Sequence, residues 1–152
     1  MVIPKEVKTI IEGLKKAGYE AYIVGGCVRD FLLELEPKDW DITTSAKPEA
    51  IQKVFPDSFY ENNFLTVTVR TGSKRPELEN IEVTTYRLET AYSDKRHPDE
   101  VKYAKSLEED LARRDFTINS IALELPMAKS QLPKVIDLFG GQEDLKNKVI
   151  RT

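Results

Sequence analysis

One cysteine, one histidine and one tryptophan in 152 residues set the first limits. With Cys27 alone, neither an internal disulfide nor a cysteine-based zinc cluster can form, and the small side chain is expected to pack beneath a turn. His97 is equally solitary, which argues against a histidine metal site. No apolar run approaches the roughly 20 residues that span a bilayer. Met1-Val2-Ile3-Pro4 does not open a signal peptide, so the expectation is a cytoplasmic chain with no membrane partner. An excess of positive charge is also missing: 23 Lys and Arg against 26 Asp and Glu leave a net −3. That excludes a surface that grips nucleic acid all over, but not a basic edge beside carboxylates whose charge a metal ion offsets.

The length fits one domain with a modest core, and no feature specifies an oligomeric state. Val7, Ile10, Ile11 and Leu14 recur at helical spacing between Pro4 and Gly18. A strand over about 20–24 leads into Gly25-Gly26, and Val28, Phe31, Leu32 and Leu35 predict a second helix closed by Pro37. A strand carrying Asp39 and Asp41 follows and extends through Thr43, with Ser45 expected to cap a helix containing Ile51, Val54 and Phe55. Residues 64–70 and 81–87 read as an antiparallel pair. Residues 88–105 have no hydrophobic period and are expected to form a mobile loop. Ser106 to Glu109 has capping-box spacing and opens a helix to about Arg113. Ile118, Ile121, Ala122 and Leu125 read as a buried helical stripe, followed by a strand near 134–138 and a short polar helix.

Two stretches carry the chemistry. On a strand, Asp39 and Asp41 would share a face and present two carboxylates to one hard cation, with Trp40 pointing away. Gly25 and Gly26 sit where a chain can turn tightly and let its N–H groups approach a phosphate, and Arg29 adds a guanidinium fork. Each has a plainer reading: aspartate pairs are common in loops, Gly25-Gly26 can be only a turn, and Arg29 can be a surface residue. Their succession as strand, turn, helix and strand favours metal-dependent chemistry at a phosphoryl group. The second stretch runs Arg113-Arg114-Asp115-Phe116-Thr117-Ile118-Asn119, either a solvated ion-paired helix face or a pocket wall. Asn119 suits a hydrogen bond to a sugar or base. Glu82 is either a third carboxylate of the site or a solvent-facing strand residue.

The pattern Val24-Gly25-Gly26-Cys27-Val28-Arg29-Asp30, Lys38-Asp39-Trp40-Asp41-Ile42 and Glu109-Asp110-Leu111-Ala112-Arg113-Arg114-Asp115-Phe116-Thr117-Ile118-Asn119-Ser120 resembles the catalytic head of class II tRNA nucleotidyltransferases, the CCA-adding enzymes, and of bacterial poly(A) polymerases. The likeness extends over Glu82-Val83-Thr84-Thr85-Tyr86-Arg87, Asp137-Leu138-Phe139-Gly140-Gly141 and Val149-Ile150-Arg151-Thr152. It implies an α/β (α+β) domain of the DNA-polymerase-β-like nucleotidyltransferase fold, a small mixed, largely antiparallel sheet flanked by helices. It further implies that Asp39 and Asp41 bind Mg²⁺, that Gly26, Arg29 and Arg114 contact a nucleoside triphosphate, and that Asp115 and Asn119 line the surrounding pocket. Cys27 replaces a commoner alanine, and Glu34 and Leu65 stand where relatives often carry glycine, Leu65 putting the local strand geometry in question.

The expected function is addition of CMP or AMP from CTP or ATP to the 3′ end of tRNA, the RNA 3′-hydroxyl attacking the α-phosphate and releasing pyrophosphate. Residues 1–152 are then the catalytic head of a longer protein, without the neck, body and tail of family enzymes. A poly(A) polymerase would share every residue named, and a non-catalytic RNA- or nucleotide-binding module is the rival of another class. Tyr92-Ser93-Asp94 and Arg96-His97-Pro98 resemble the flexible loop of enzymes that add the terminal A, which favours CCA or A addition over CC addition.

Overall fold

The computed structural model describes residues 2–61, 64–88 and 102–152. The first helix, α1 (Lys5–Lys16), buries Val7, Ile10, Ile11 and Leu14 on one face. Removing each of these side chains from water contributes about 1.5–3 kcal/mol, enough to fix the helix against the sheet. Strand β1 (Ala21–Val24) follows, then α2 (Gly26–Leu32), β2 (Asp41–Thr44), α3 (Pro48–Val54), β3 (Ser58–Glu61), β4 (Thr66–Arg70), α4 (Pro76–Glu79) and β5 (Asn80–Thr85). The chain continues through α5 (Leu107–Ala112), a 3₁₀ turn over Thr117–Asn119, β6 (Ile121–Glu124), β7 (Lys134–Asp137) and α6 (Gly141–Asn147).

The described strands form one seven-stranded sheet in the order β3-β4-β5-β2-β1-β6-β7. Only β2 and β5 run parallel; every other neighbouring pair is antiparallel. The mixed, largely antiparallel sheet flanked by helices is the architecture the sequence leads one to expect. Trp40 is buried in the core, although it precedes β2 rather than lying on it, and Asp39 beside it is exposed. Cys27 is buried under the glycine turn, its thiol donating to the Val24 carbonyl at 3.1 Å. No helix among the described residues is long and apolar enough to cross a membrane.

Several local expectations are corrected. The expected stripe Ile118, Ile121, Ala122 and Leu125 is not a helix: Ile118 lies in the 3₁₀ turn, Ile121 and Ala122 start strand β6 between β1 and β7, and Leu125 follows it, because a short apolar run buried on both faces satisfies either period. Asp39 is not on the strand. The chain turns at Gly25, so Val24 is the last β1 residue available for pairing and β2 begins opposite it, at Asp41. Ser45 caps nothing; its hydroxyl accepts from the Glu20 amide at 2.9 Å, while Lys47 occupies the N-cap position and Pro48 starts α3. The periodicity also misses β3 and α4. Of the expected mobile loop, residues 89–101 lie outside the described residues. Its two ends pair: Leu88 donates to the Lys102 carbonyl and Ala104 to the Tyr86 carbonyl, both at 2.9 Å.

Helix α2 stops before Leu35, which is exposed rather than part of the apolar stripe. Leu35 N–H reaches back to Asp30 at 2.9 Å and Glu34 N–H to Phe31 at 3.1 Å, the paired bonds of a Schellman ending. Such an ending needs a left-handed residue. In α1 it is Gly18, but here it is Glu34, with φ of 58°. A side chain in that region costs about 1–2 kcal/mol. Leu65 is likewise left-handed, with φ of 54°. Glu34 is exposed, so Glu34→Gly is expected to stabilise the chain by about 0.5–1 kcal/mol in urea unfolding; equal or lower stability would show that no strain is stored there.

Candidate active site

Gly25 ends β1 with φ 81° and ψ −146°, a conformation essentially confined to glycine. The backbone conformation is what demands glycine here; a Cβ would only touch its neighbours, standing 3.4 Å from Arg114 Nη1 and 3.7 Å from Asp41 Oδ2. The turn therefore lies against both a guanidinium and a carboxylate. From it opens a polar cleft of about 670 Å³ whose walls include Gly25, Gly26, Asp41, Glu82, Arg114 and Asn119. Asp115 also lines it, with its carboxylate accepting from the Phe116 amide at 2.9 Å.

Asp41 and Glu82 are brought together by the one parallel pairing, in which they are direct register partners. Burial raises the Asp41 pKa, Arg114 opposes the rise and Asp39 adds to it. The Glu82 pKa is raised too, first by burial and then by the Asp41 charge. Asp39 is exposed and lines a second cleft that meets the first at Gly26 and Asp41. Arg29 lies in this second cleft, over Gly26. Its Nε and Nη2 donate to Asp30 Oδ1 at 2.9 and 2.8 Å, and its Nη1 to Asn119 Oδ1 at 3.0 Å. The amide expected to read a sugar or base thus also orients the arginine.

Asp110 organises the opposite wall, and the sequence reading gave it no role. It is fully buried in α5. Its Oδ1 accepts from the Arg87 amide at 3.1 Å and Arg113 Nε at 3.4 Å, its Oδ2 from Thr43 Oγ1 at 3.1 Å and Arg114 Nη2 at 3.3 Å. The i, i+3 and i, i+4 spacing to the two arginines was the available signal. The helix starts at the expected cap, Ser106 Oγ accepting from the Glu109 amide at 3.3 Å, while Glu109 Oε2 accepts from the Lys105 amide at 2.7 Å instead of that of Ser106. Arg113 has its pKa lowered by burial, and Arg87 and Arg114 press in the same direction while Asp110 opposes them. The buried Arg114 Nε has no hydrogen-bond partner, so this wall holds donor capacity that the protein does not use.

Asp110→Ala would leave two mostly buried guanidiniums without their shared carboxylate. We expect a loss of roughly 3 kcal/mol in urea unfolding; a loss under about 1 kcal/mol would show that these contacts contribute little to the wall.

The model of the poly A polymerase head domain matches residues 21–151. The chain is 46% identical over 143 residues to the CCA-adding enzyme of Lactobacillus helveticus, covering 93% of this chain and 33% of that enzyme. It is 47% identical over 144 residues to the CCA-adding enzyme of Listeria monocytogenes, covering 93% and 34%. Among solved structures, the Bacillus stearothermophilus CCA-adding enzyme in complex with CTP superposes with a TM-score of 0.78 at 38% identity, over 99% of this chain and 34% of that one. A tRNA nucleotidyltransferase complexed with a primer tRNA and an incoming ATP analog gives a TM-score of 0.69 at 34% identity, over 94% and 38%. The chain spans about a third of the length of the CCA-adding enzymes it matches. A carboxylate pair facing a glycine turn and an arginine wall, with a sequence match over 131 residues, places the chain in the poly A polymerase head domain family.

Proposed function

We propose that this chain is the catalytic head of a tRNA nucleotidyltransferase, which transfers CMP or AMP from CTP or ATP to the 3′ end of tRNA in the cytoplasm. The observation that carries the reading is the meeting of backbone, guanidinium and carboxylate at Gly25. The relatives named CCA-adding enzyme favour this reaction over poly(A) synthesis, for which the same residues would serve. The presence of both Asp39 and Asp41 counts against a non-catalytic module.

The donor set fits a hard divalent cation. It is all oxygen, and the raised pKa of Asp41, driven by burial and by Asp39, marks a charge that a cation would relieve. Among the described residues no group of three or more His, Cys, Asp or Glu could hold a metal ion. Asp39 and Asp41 would therefore share it with phosphate oxygens, the way Mg²⁺ is usually held. When bound, Mg²⁺ would lower the pKa of the RNA 3′-hydroxyl and neutralise triphosphate charge.

The protein's own groups divide the remaining work. The amides of the Gly25-Gly26 turn can approach the triphosphate because no Cβ intervenes, while Arg29 and Arg114 supply the forks for its charge. Glu82, beside Asp41 and with a raised pKa, accepts the hydroxyl proton. The 3′-oxygen forms its bond to the α-phosphorus as the bridge to the β-phosphate breaks, and pyrophosphate leaves toward the glycine turn.

Asp39→Ala and Asp41→Ala in the full-length protein are each expected to lower the transfer rate by about a thousandfold or more while the chain stays folded by circular dichroism. Activity retained within tenfold in both variants would overturn the assignment.

A further inference from the structure

The cleft runs across the sheet from the glycine turn to the start of β4. Its glycine turn follows β1, while its far lip is formed by Phe64, just ahead of β4, with β2 and β5 between. Three strand spacings separate the two ends, about 14 Å. The carboxylates Asp41 and Glu82 lie between them, on β2 and β5.

The far end is built differently from the first. Phe64 is a large aromatic side chain left 50% exposed in a wall otherwise dominated by polar and charged groups. Its carbonyl is anchored twice, by Arg87 Nη1 at 2.6 Å and by Thr66 Oγ1 at 3.3 Å. Thr66 Oγ1 and Thr84 Oγ1, 3.0 Å apart, continue the polar floor beneath it. Leu65 supports the arrangement from a left-handed conformation in spite of being a buried leucine. Strain of this kind persists where the surroundings over-determine the backbone, and it clusters at ligand sites.

In-line displacement supplies the direction. Attacking and leaving oxygens lie on opposite sides of the transferred phosphorus. With pyrophosphate on the glycine-turn side of the carboxylates, the attacking hydroxyl must come from the β4 side. We propose that the β4 end of the cleft is the acceptor subsite, in which the Phe64 ring stacks on the base of the RNA 3′-terminal nucleotide. This rests on the nucleotidyl-transfer reading and adds a subsite to it. Stacking accepts any base, because every base has a π-face, so the same platform serves successive acceptor ends.

A cycle that pairs a protein change with a substrate change tests it. Single-nucleotide transfer by the full-length protein is measured at saturating CTP, with acceptor RNA carrying or lacking the base of its 3′-terminal nucleotide. Phe64→Ala is expected to lower kcat/KM for the intact acceptor about tenfold, and removing the base to do the same to the wild type. Together the two changes should cost little more than either alone, Phe64→Trp should stay within about twofold of wild type, and the KM for CTP should not move. Losses that multiply, or a rise in the KM for CTP with unchanged acceptor kinetics, would overturn the subsite. No transfer by the wild type to the intact acceptor would instead contradict the nucleotidyl-transfer reading itself, and the subsite with it.

Discussion

The site depends on a carboxylate that faces away from solvent. Asp110 is fully buried, and it gathers a threonine from β2, the Arg87 backbone beyond β5 and two arginines from the end of its own helix. Isolated in the interior, such a charge would be costly; surrounded by four donors it becomes a junction. It ties the helix that carries Arg113 and Arg114 to the two strands that carry Asp41 and Glu82. The positive wall and the negative floor of the cleft are thereby held in one frame.

A second tie fixes the other side of the same stretch. Asp144, buried in α6, accepts from Thr117 Oγ1 at 2.6 Å and pairs with Arg151 at 2.9 Å, while the Thr117 amide donates to the Arg151 carbonyl at 2.9 Å. Gly141 permits this closeness, because a Cβ there would collide with the Thr117 carbonyl and the Ile121 side chain. Asp137 starts the helix by accepting from the Gly141 and Gln142 amides, both at 2.8 Å. The segment from Arg113 to Thr117 is thus clamped at both ends, by Asp110 and by Asp144. Just past the second clamp, Asn119 accepts from Arg29 and joins this wall to the glycine turn.

Features set by neighbours in the chain were legible from the sequence. The Ser106 cap and the glycine turn each depend on a few adjacent residues, and the pairing of β4 with β5 on two β-rich runs close in the chain. Glu34 and Leu65, where the resemblance leads one to expect glycine, both take left-handed backbone. Features set by distant partners were not legible. Ile121-Ala122-Leu123 is a strand only because β1 and β7 lie on either side of it. Asp39 left the expected strand because the partner strand ends at Val24. Asp110 looked like one acidic residue among several, since Thr43 is 67 positions away and Arg87 is 23. The row of threonine hydroxyls under Phe64 likewise exists only once the sheet order is known.

The central claim is that the exposed Asp39 and the half-buried Asp41, separated by a core tryptophan, act as one cation site beside the glycine turn. The most direct measurement is anomalous scattering from crystals of this chain grown with Mn²⁺ and a non-hydrolysable CTP analogue. The account predicts a manganese peak bounded by the carboxylates of Asp39 and Asp41, with triphosphate oxygens completing its shell and the β- and γ-phosphates toward Gly25, Gly26 and Arg114. A nucleotide bound in the cleft with manganese away from both aspartates, or a triphosphate lying on the β4 side of the carboxylates, would contradict it.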